Sequence, residues 1–381
     1  MMAVSDLSHN LARIRKARGI KSQGEMAGII GVSRQAYSSF ERGQSIPTSL
    51  NLMKIAQNLD VKMEDLLADP PSFKSLRYRT RKSLRSDEKN RLEELKFRVA
   101  RWIADYMELE EITGEKRPFN LKFKSNSPIE AAEEARLLCN IDEDEPIDDI
   151  MGLLERHGMK FYPVKFGIKK FFGFSLGEAD GGPAIIVNTS QENTVERRIF
   201  TVAHEFGHIC LHGDSFGRDE SEDDNRSKAE EKEADLFAGH FLLPDTGFDK
   251  EWKAARGHDL IDKVFHIKRK YRVSYETVLF RIADKGWADY TELIVKFRYA
   301  VKNRYGFDFK DGKEPLKLEE PDFLEDRFPA LVRLAYEREE ITQSKAAEML
   351  ELTLEKMKFL IDDWYAVSEI KDGAAPRMKR P

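Results

Sequence analysis

The chain has 381 residues, 41% of them hydrophobic and 34% charged. That length suggests two or three domains, and the apolar share can build packed cores, which excludes a wholly disordered chain. No run approaches the roughly 18 consecutive apolar residues of a membrane span, and the first residues lack the basic-then-apolar order of a signal peptide. Two cysteines, Cys139 and Cys210, cannot form a disulfide framework, so the expected compartment is the reducing cytoplasm, with no membrane partner. The net charge of −5 is uneven: residues 1–85 hold 15 Lys/Arg against 7 Asp/Glu, a surplus of +8 that leaves −13 for the remainder. A basic module of this kind supplies sequence-independent attraction to phosphates.

Residues 7–67 read as short helices. Leu7, Leu11 and Ile14 share one face. Gly19 ends that helix, Ser22 with Glu25 forms a capping-box pattern, and Ser33 after Gly31 caps a third helix. Pro47 and Thr48 open a fourth, and residues 69–72 close the module. A basic stretch (Lys74, Arg77, Arg79, Arg81, Lys82, Arg85) reads as a linker or helix edge. Residues 86–112 form one amphipathic helix whose stripe of Leu92, Leu95, Val99, Trp102, Ile103 and Tyr106 serves packing or a dimer seam. Beyond a break at 114–128, helices alternate with strand candidates at 160–164 and 183–188. The second of these is an edge strand beside a cleft, where a peptide could pair, or a buried core strand. Residues 194–212 and 228–242 read as helices flanking an acidic loop at 214–228, and residues 255–365 are mostly helical.

The strongest signal is Thr201-Val202-Ala203-His204-Glu205-Phe206-Gly207-His208 within an apolar-periodic helix. Histidines at i and i+4 project from one helix face and can place two imidazoles on one zinc ion. Glu205 lies beside them, where it can take a proton from a water activated by the ion and pass it to a leaving amine without being a ligand. His212, eight residues after His204, is about 12 Å further along the axis and cannot close the same tetrahedron. A third histidine at the metzincin spacing is absent, since that position is Asp214. The better third ligand is Glu231, with Glu230 and Glu233 as substitutes. Asp235, at i+4 from Glu231, would hold a ligand histidine through its second ring nitrogen. Small Ala234 and Ala238 would let the two helices approach. Cys210 points off the ligand face, and Cys139 reads as buried.

With these residues in hand the chain resembles the ImmA/IrrE family of zinc metallopeptidases over about residues 126–285. The resemblance rests on Pro146-Ile147-Asp148-Asp149-Ile150, Leu154-Glu155-Arg156-His157-Gly158, Gly182-Pro183-Ala184-Ile185-Ile186-Val187-Asn188, the stretch Phe200 to His212, and Glu231 to Pro244. It implies a compact α+β fold with a gluzincin-like site in which His204, His208 and Glu231 hold Zn2+ and Glu205 is the general base. It also implies a repressor-like DNA-binding protein as substrate. Residues 10–67 similarly resemble the Xre/Cro-type helix-turn-helix, through Ser22-Gln23-Gly24-Glu25-Met26-Ala27, Gly31-Val32-Ser33-Arg34-Gln35-Ala36-Tyr37 and Phe40-Glu41-Arg42-Gly43. That fold lays its third helix in the major groove of double-stranded DNA. Ser33, Arg34, Gln35 and Ser38 would then face base edges, and Gln23 and Arg42 phosphates. Readers of this type also imply a homodimer.

The expected architecture is mainly α with a small β-sheet (α+β). Residues 1–70 are an all-α helix-turn-helix domain, 71–125 a basic linker and amphipathic helix, and 126–290 the metallopeptidase domain. Residues 291–370 form a helical region, within which 341–350 echoes a helix-turn-helix in a structural role, and 371–381 a disordered tail. Two functions compete. One is a zinc-dependent site-specific endopeptidase, fused to a DNA-binding module, that regulates transcription by cutting a repressor-like or toxin-type protein or its own chain near the basic linker. The other is a non-proteolytic regulator whose zinc domain senses a ligand or partner. Glu205 favours the first, because a purely structural zinc site has no use for a base.

Overall fold

A computed structural model of the protein describes residues 4–371, apart from residues 60, 62, 68–72, 79–84, 126, 169–170, 214–215, 217–223, 310–312, 321–322 and 324–325. The tail after 371, most of the acidic loop and the basic residues Arg79, Arg81 and Lys82 lie outside the described residues.

The N-terminal module contains α1 (Val4–Ala17), α2 (Gln23–Ile30), α3 (Arg34–Glu41), α4 (Ser49–Leu59) and α5 (Met63–Leu67). Leu7, Leu11 and Ile14 pack on Met26, Ile30, Tyr37, Ile55 and Leu66 in one small core. The turn between α2 and α3 is built by local chemistry. Gly31 caps α2 at φ 75°, a left-handed conformation that favours glycine, and the Ser33 hydroxyl accepts from the Ala36 amide to start α3. Across the module, Arg15 pairs with Glu41, whose second oxygen accepts from Gln23 Nε2 at 2.8 Å.

The larger unit begins with β1 (Leu76–Tyr78) and α6 (Ser86–Thr113), then α7 (Pro128–Leu138), α8 (Ile150–Glu155), β2 (Lys160–Val164), β3 (Gly173–Leu176) and β4 (Ala184–Asn188). Next come α9 (Val195–Leu211), α10 (Asp224–Leu242), α11 (Asp245–Ala254), α12 (Leu260–Tyr271), α13 (Tyr275–Asp284) and α14 (Tyr290–Tyr305). The chain ends in α15 (Arg327–Glu337), α16 (Gln343–Met349) and α17 (Leu354–Lys371). The acidic loop is shorter than expected, because residues 224–228 already belong to α10.

The strands form one sheet in the order β1-β3-β4-β2, with β2 and β4 parallel and the other pairs antiparallel. The edge-strand reading of residues 183–188 is overturned: β4 is central and every residue in it is buried, as its unbroken Ala-Ile-Ile-Val run suits. Successive side chains of a strand alternate faces. Ile185 and Val187 therefore enter the core shared with α9 and α10, while Ala184 and Ile186 enter the core shared with α6. The α6 stripe is consumed there, against the sheet and Phe328, Leu331 and Val332 of α15, so it is packing and not a dimer seam. These cores run across the boundaries expected at residues 125 and 290, since α14 and Leu121 share the core of α9.

Candidate metal centre

Helix α9 starts at Thr194, whose side chain accepts from the Arg197 amide, and buries Ile199, Val202, Ala203 and Phe206 against the main core. Full burial of such apolar side chains is worth about 1.5–3 kcal/mol each and fixes the rotation of the helix. His204, Glu205 and His208 are held with it, all buried. Helix α10 packs alongside through Ala234, Phe237, Ala238 and Phe241, none of them exposed to solvent. Gly207 allows this approach: a Cβ there would stand 2.8 Å from Cδ1 of Phe237.

The result is a converging set of donors. His204 Nε2 and His208 Nε2 are 3.0 Å apart, and the Glu231 oxygens lie 3.4 Å from the first and 3.3 Å from the second. Ligands bound at about 2.0–2.1 Å around a tetrahedral ion sit roughly 3.3 Å from one another. The three edges therefore match one cation, and among the described residues this is the one group of its kind.

The outer ring nitrogens decide which way the lone pairs point. His204 Nδ1 is 2.8 Å from Asp235 Oδ1, so it donates and leaves Nε2 as the bare nitrogen. His212 Nε2 is 2.8 Å from Glu233 Oε2, and His212 Nδ1 is 2.9 Å from His208 Nδ1. If His212 donates to Glu233, its Nδ1 accepts from His208, whose Nε2 is then also bare. Burial pushes His208 down to about 3 and lowers His212, which keeps both rings neutral. Two lone pairs face one point, an arrangement that a cation satisfies.

The structure also separates the three acidic candidates. Glu230 pairs with Arg77 at 2.8 Å, Glu233 with His212, and Glu231 is left facing the two histidines. Asp235 stands on His204. Glu205 accepts from the Ser175 hydroxyl of β3 at 2.7 Å. Ser175, His212 and Arg77 were missed as site residues. His212 carried a signal, its i+4 spacing from His208, but only as a second-layer partner. Cys210 packs at the margin of the main core and Cys139 is buried, its thiol pushed up to about 11 by burial.

In the N-terminal module, Ser33, Arg34 and Gln35 are exposed at the start of α3, and Ser38 is half-buried one turn on. Arg42 is exposed, with Nε donating to the Ser38 carbonyl. Gln23 differs from the others, because its amide is engaged on Glu41 inside the module.

Fold and site together define a helix-turn-helix module joined to a metallopeptidase-like domain. Residues 154–283 match the model of the IrrE N-terminal-like domain of the M78 peptidases, and residues 11–66 match a helix-turn-helix family. The chain is 40% identical over 60 residues to the cryptic phage CTXphi transcriptional repressor RstR of Vibrio cholerae serotype O1; the match covers 16% of this chain and 53% of the repressor. The chain thus spans about half the length of the curated relative it matches. No helix among the described residues is long and apolar enough to cross a membrane.

Proposed function

We propose that the protein is a zinc-dependent endopeptidase fused to a DNA-reading module, which regulates transcription by cutting a repressor-like protein. The observation that carries this reading is the position of Glu205. It stands one residue after His204, is held by Ser175, and adjoins the His204–His208–Glu231 donor set without belonging to it. A bound Zn2+ would supply Lewis acidity, polarising a peptide carbonyl and lowering the pKa of water towards about 7. His204, His208 and Glu231 would hold the ion, with Asp235 and the His212–Glu233 pair fixing the ring tautomers. Glu205 takes the proton of the attacking water and delivers it to the departing amine nitrogen, while the Ser175 hydroxyl keeps its carboxylate aimed.

The exposed Arg34 and Gln35 are chemically suited to guanine and adenine edges, and Arg42 to a phosphate. Likeness to a phage transcriptional repressor supports double-stranded DNA as partner of this module. Ile46, Leu50 and Met53 are exposed at and beside α4, a surface that suits a homodimer.

The test is Glu205→Gln. The variant should bind zinc as the parent does and lose cleavage of the protein substrate. Unaltered proteolysis would dismiss Glu205 as the base. Zinc binding with no proteolysis by the parent, across candidate repressors, would favour the sensing regulator.

A further inference from the structure

β1 lies antiparallel to β3 with Arg77 directly across from Ser175, the residue that donates to Glu205. Directly opposed residues on antiparallel strands project to the same face, so Arg77 points to the side of the sheet that carries the metal centre. Its guanidinium reaches 2.8 Å from Glu230 and 3.9 Å from Glu231, and the side chain is only 10% exposed. β1 is three residues long and lies outside the segment that matches the peptidase family, whereas β2, β3 and β4 lie within it. Without β1, β3 would be a free edge running past Glu205. An extended peptide pairs with such an edge.

β1 is also tethered in place. Asp180 accepts from the Lys74 amide at 2.9 Å and from both the amide and hydroxyl of Ser75 at 2.6 Å. The Gly177 amide donates to the Ser75 carbonyl at 2.9 Å, and Ser75 is buried. Leu76 and the preceding Phe73 pack on the margin of the α6 core, and this clamp and the Arg77–Glu230 pair add to that hold.

We infer that residues 75–78 occupy the substrate groove as an internal stand-in for an extended protein segment, with Arg77 seated in a pocket where Glu230 reads a basic side chain. This rests on the hydrolase reading above. A protein substrate must displace β1 to reach Glu205, and the segments that do so best present Lys or Arg opposite Ser175.

The experiment uses the zinc-loaded full chain carrying Glu205→Gln, and as probe a fluorescein-labelled peptide of residues 73–78 (Phe-Lys-Ser-Leu-Arg-Tyr). A tethered strand competes at an effective concentration of about millimolar. Asp180→Ala, which removes the clamp, should therefore raise peptide affinity about tenfold or more. Leu76 and Leu176 are directly opposed in the ladder. The double variant Leu76→Cys/Leu176→Cys should lose binding when oxidised and regain it on reduction. Changing the peptide's arginine to alanine, or Glu230→Gln in the protein, should weaken binding to the freed groove about tenfold. Equal peptide binding by oxidised and reduced forms, or no binding to the Asp180→Ala protein, overturns the proposal. Hydrolysis is irrelevant to these readouts, so a competing strand in a chain that never cleaves would sink the peptidase reading alone.

Discussion

Glu314→Gln should make the protein more stable at pH 8 and leave it little changed near pH 5. Glu196, in the first turn of α9, meets Lys268 of α12 in the core, and Glu314 approaches the same Lys268 Nζ at 3.3 Å while accepting from the Tyr275 amide at 2.8 Å. Two carboxylates share one ammonium. The remaining partners, the Leu316 carbonyl and Leu318 amide, carry no charge. Burial pushes the Glu314 carboxyl up from 4.5 to about 7, against the pull of Lys268 and the Tyr275 amide. A difference of that size corresponds to about 3 kcal/mol. The folded chain holds this proton where the unfolded chain has released it, so the group lowers stability progressively as pH rises from about 4.5 to 7. A glutamine keeps an acceptor for Tyr275 and never ionises. The gain at pH 8 is thus up to about 3 kcal/mol, or roughly 4–5 °C in melting temperature for a unit of about 300 residues. Thermal unfolding of parent and variant from pH 5 to 8 checks this. Parallel curves, with a constant offset across that range, would show that Glu314 does not titrate in it.

Removing the carboxylate behind His204, by Asp235→Ala, should lower zinc affinity by about 10–100-fold, read by competition with a chromophoric chelator; unchanged affinity would mean that the His204 ring needs no such support. Gly207→Ala places a methyl 2.8 Å from Phe237. Overpacking costs about 1–3 kcal/mol, offset by about 1 kcal/mol of helix propensity, and α10 is pushed off α9. The expected result is a small loss of melting temperature with a clear loss of zinc affinity, and retention of both would show that the helix contact has slack. Replacing Arg34 and Gln35 together by alanine should abolish operator preference in a selection from random duplexes, whereas Arg42→Ala should weaken all sequences alike and reduce the salt slope by about 1. Sequence preference that survives the double change would move base reading off the start of α3.

The helices that carry the donor set were legible because their signal is local. An apolar period over α9, histidines one turn apart, and two small residues on α10 need no knowledge of distant chain. Choosing Glu231 over its neighbours was only partly legible. Glu230, Glu231 and Glu233 differ by about 100° per residue around α10, and the i+4 relation to Asp235 pointed to Glu231, but the partners that occupy the other two come from elsewhere. Arg77 takes Glu230 and His212 takes Glu233. The sequence places Arg77 more than 150 residues before Glu230, with nothing between them to suggest a meeting.

The strands mark where local reading stops. β2 and β4 contain buried apolar residues and stood out; β1 and β3 are three and four residues long, with Arg77 and Ser175 at their centres. Alternation over so short a run has no statistical weight, and β propensity reflects packing against neighbours more than intrinsic preference. Ser175 is buried because β4 lies on one side and β1 on the other, and its hydroxyl matters only because α9 delivers Glu205 to it. The same dependence explains α6, whose stripe was plain in sequence while its partners Phe328, Leu331 and Val332 lay over 200 residues away. What the chain writes locally is a pair of helices able to grip a cation. What only folding supplies is the strand whose serine holds Glu205 and the arginine that stands across from it.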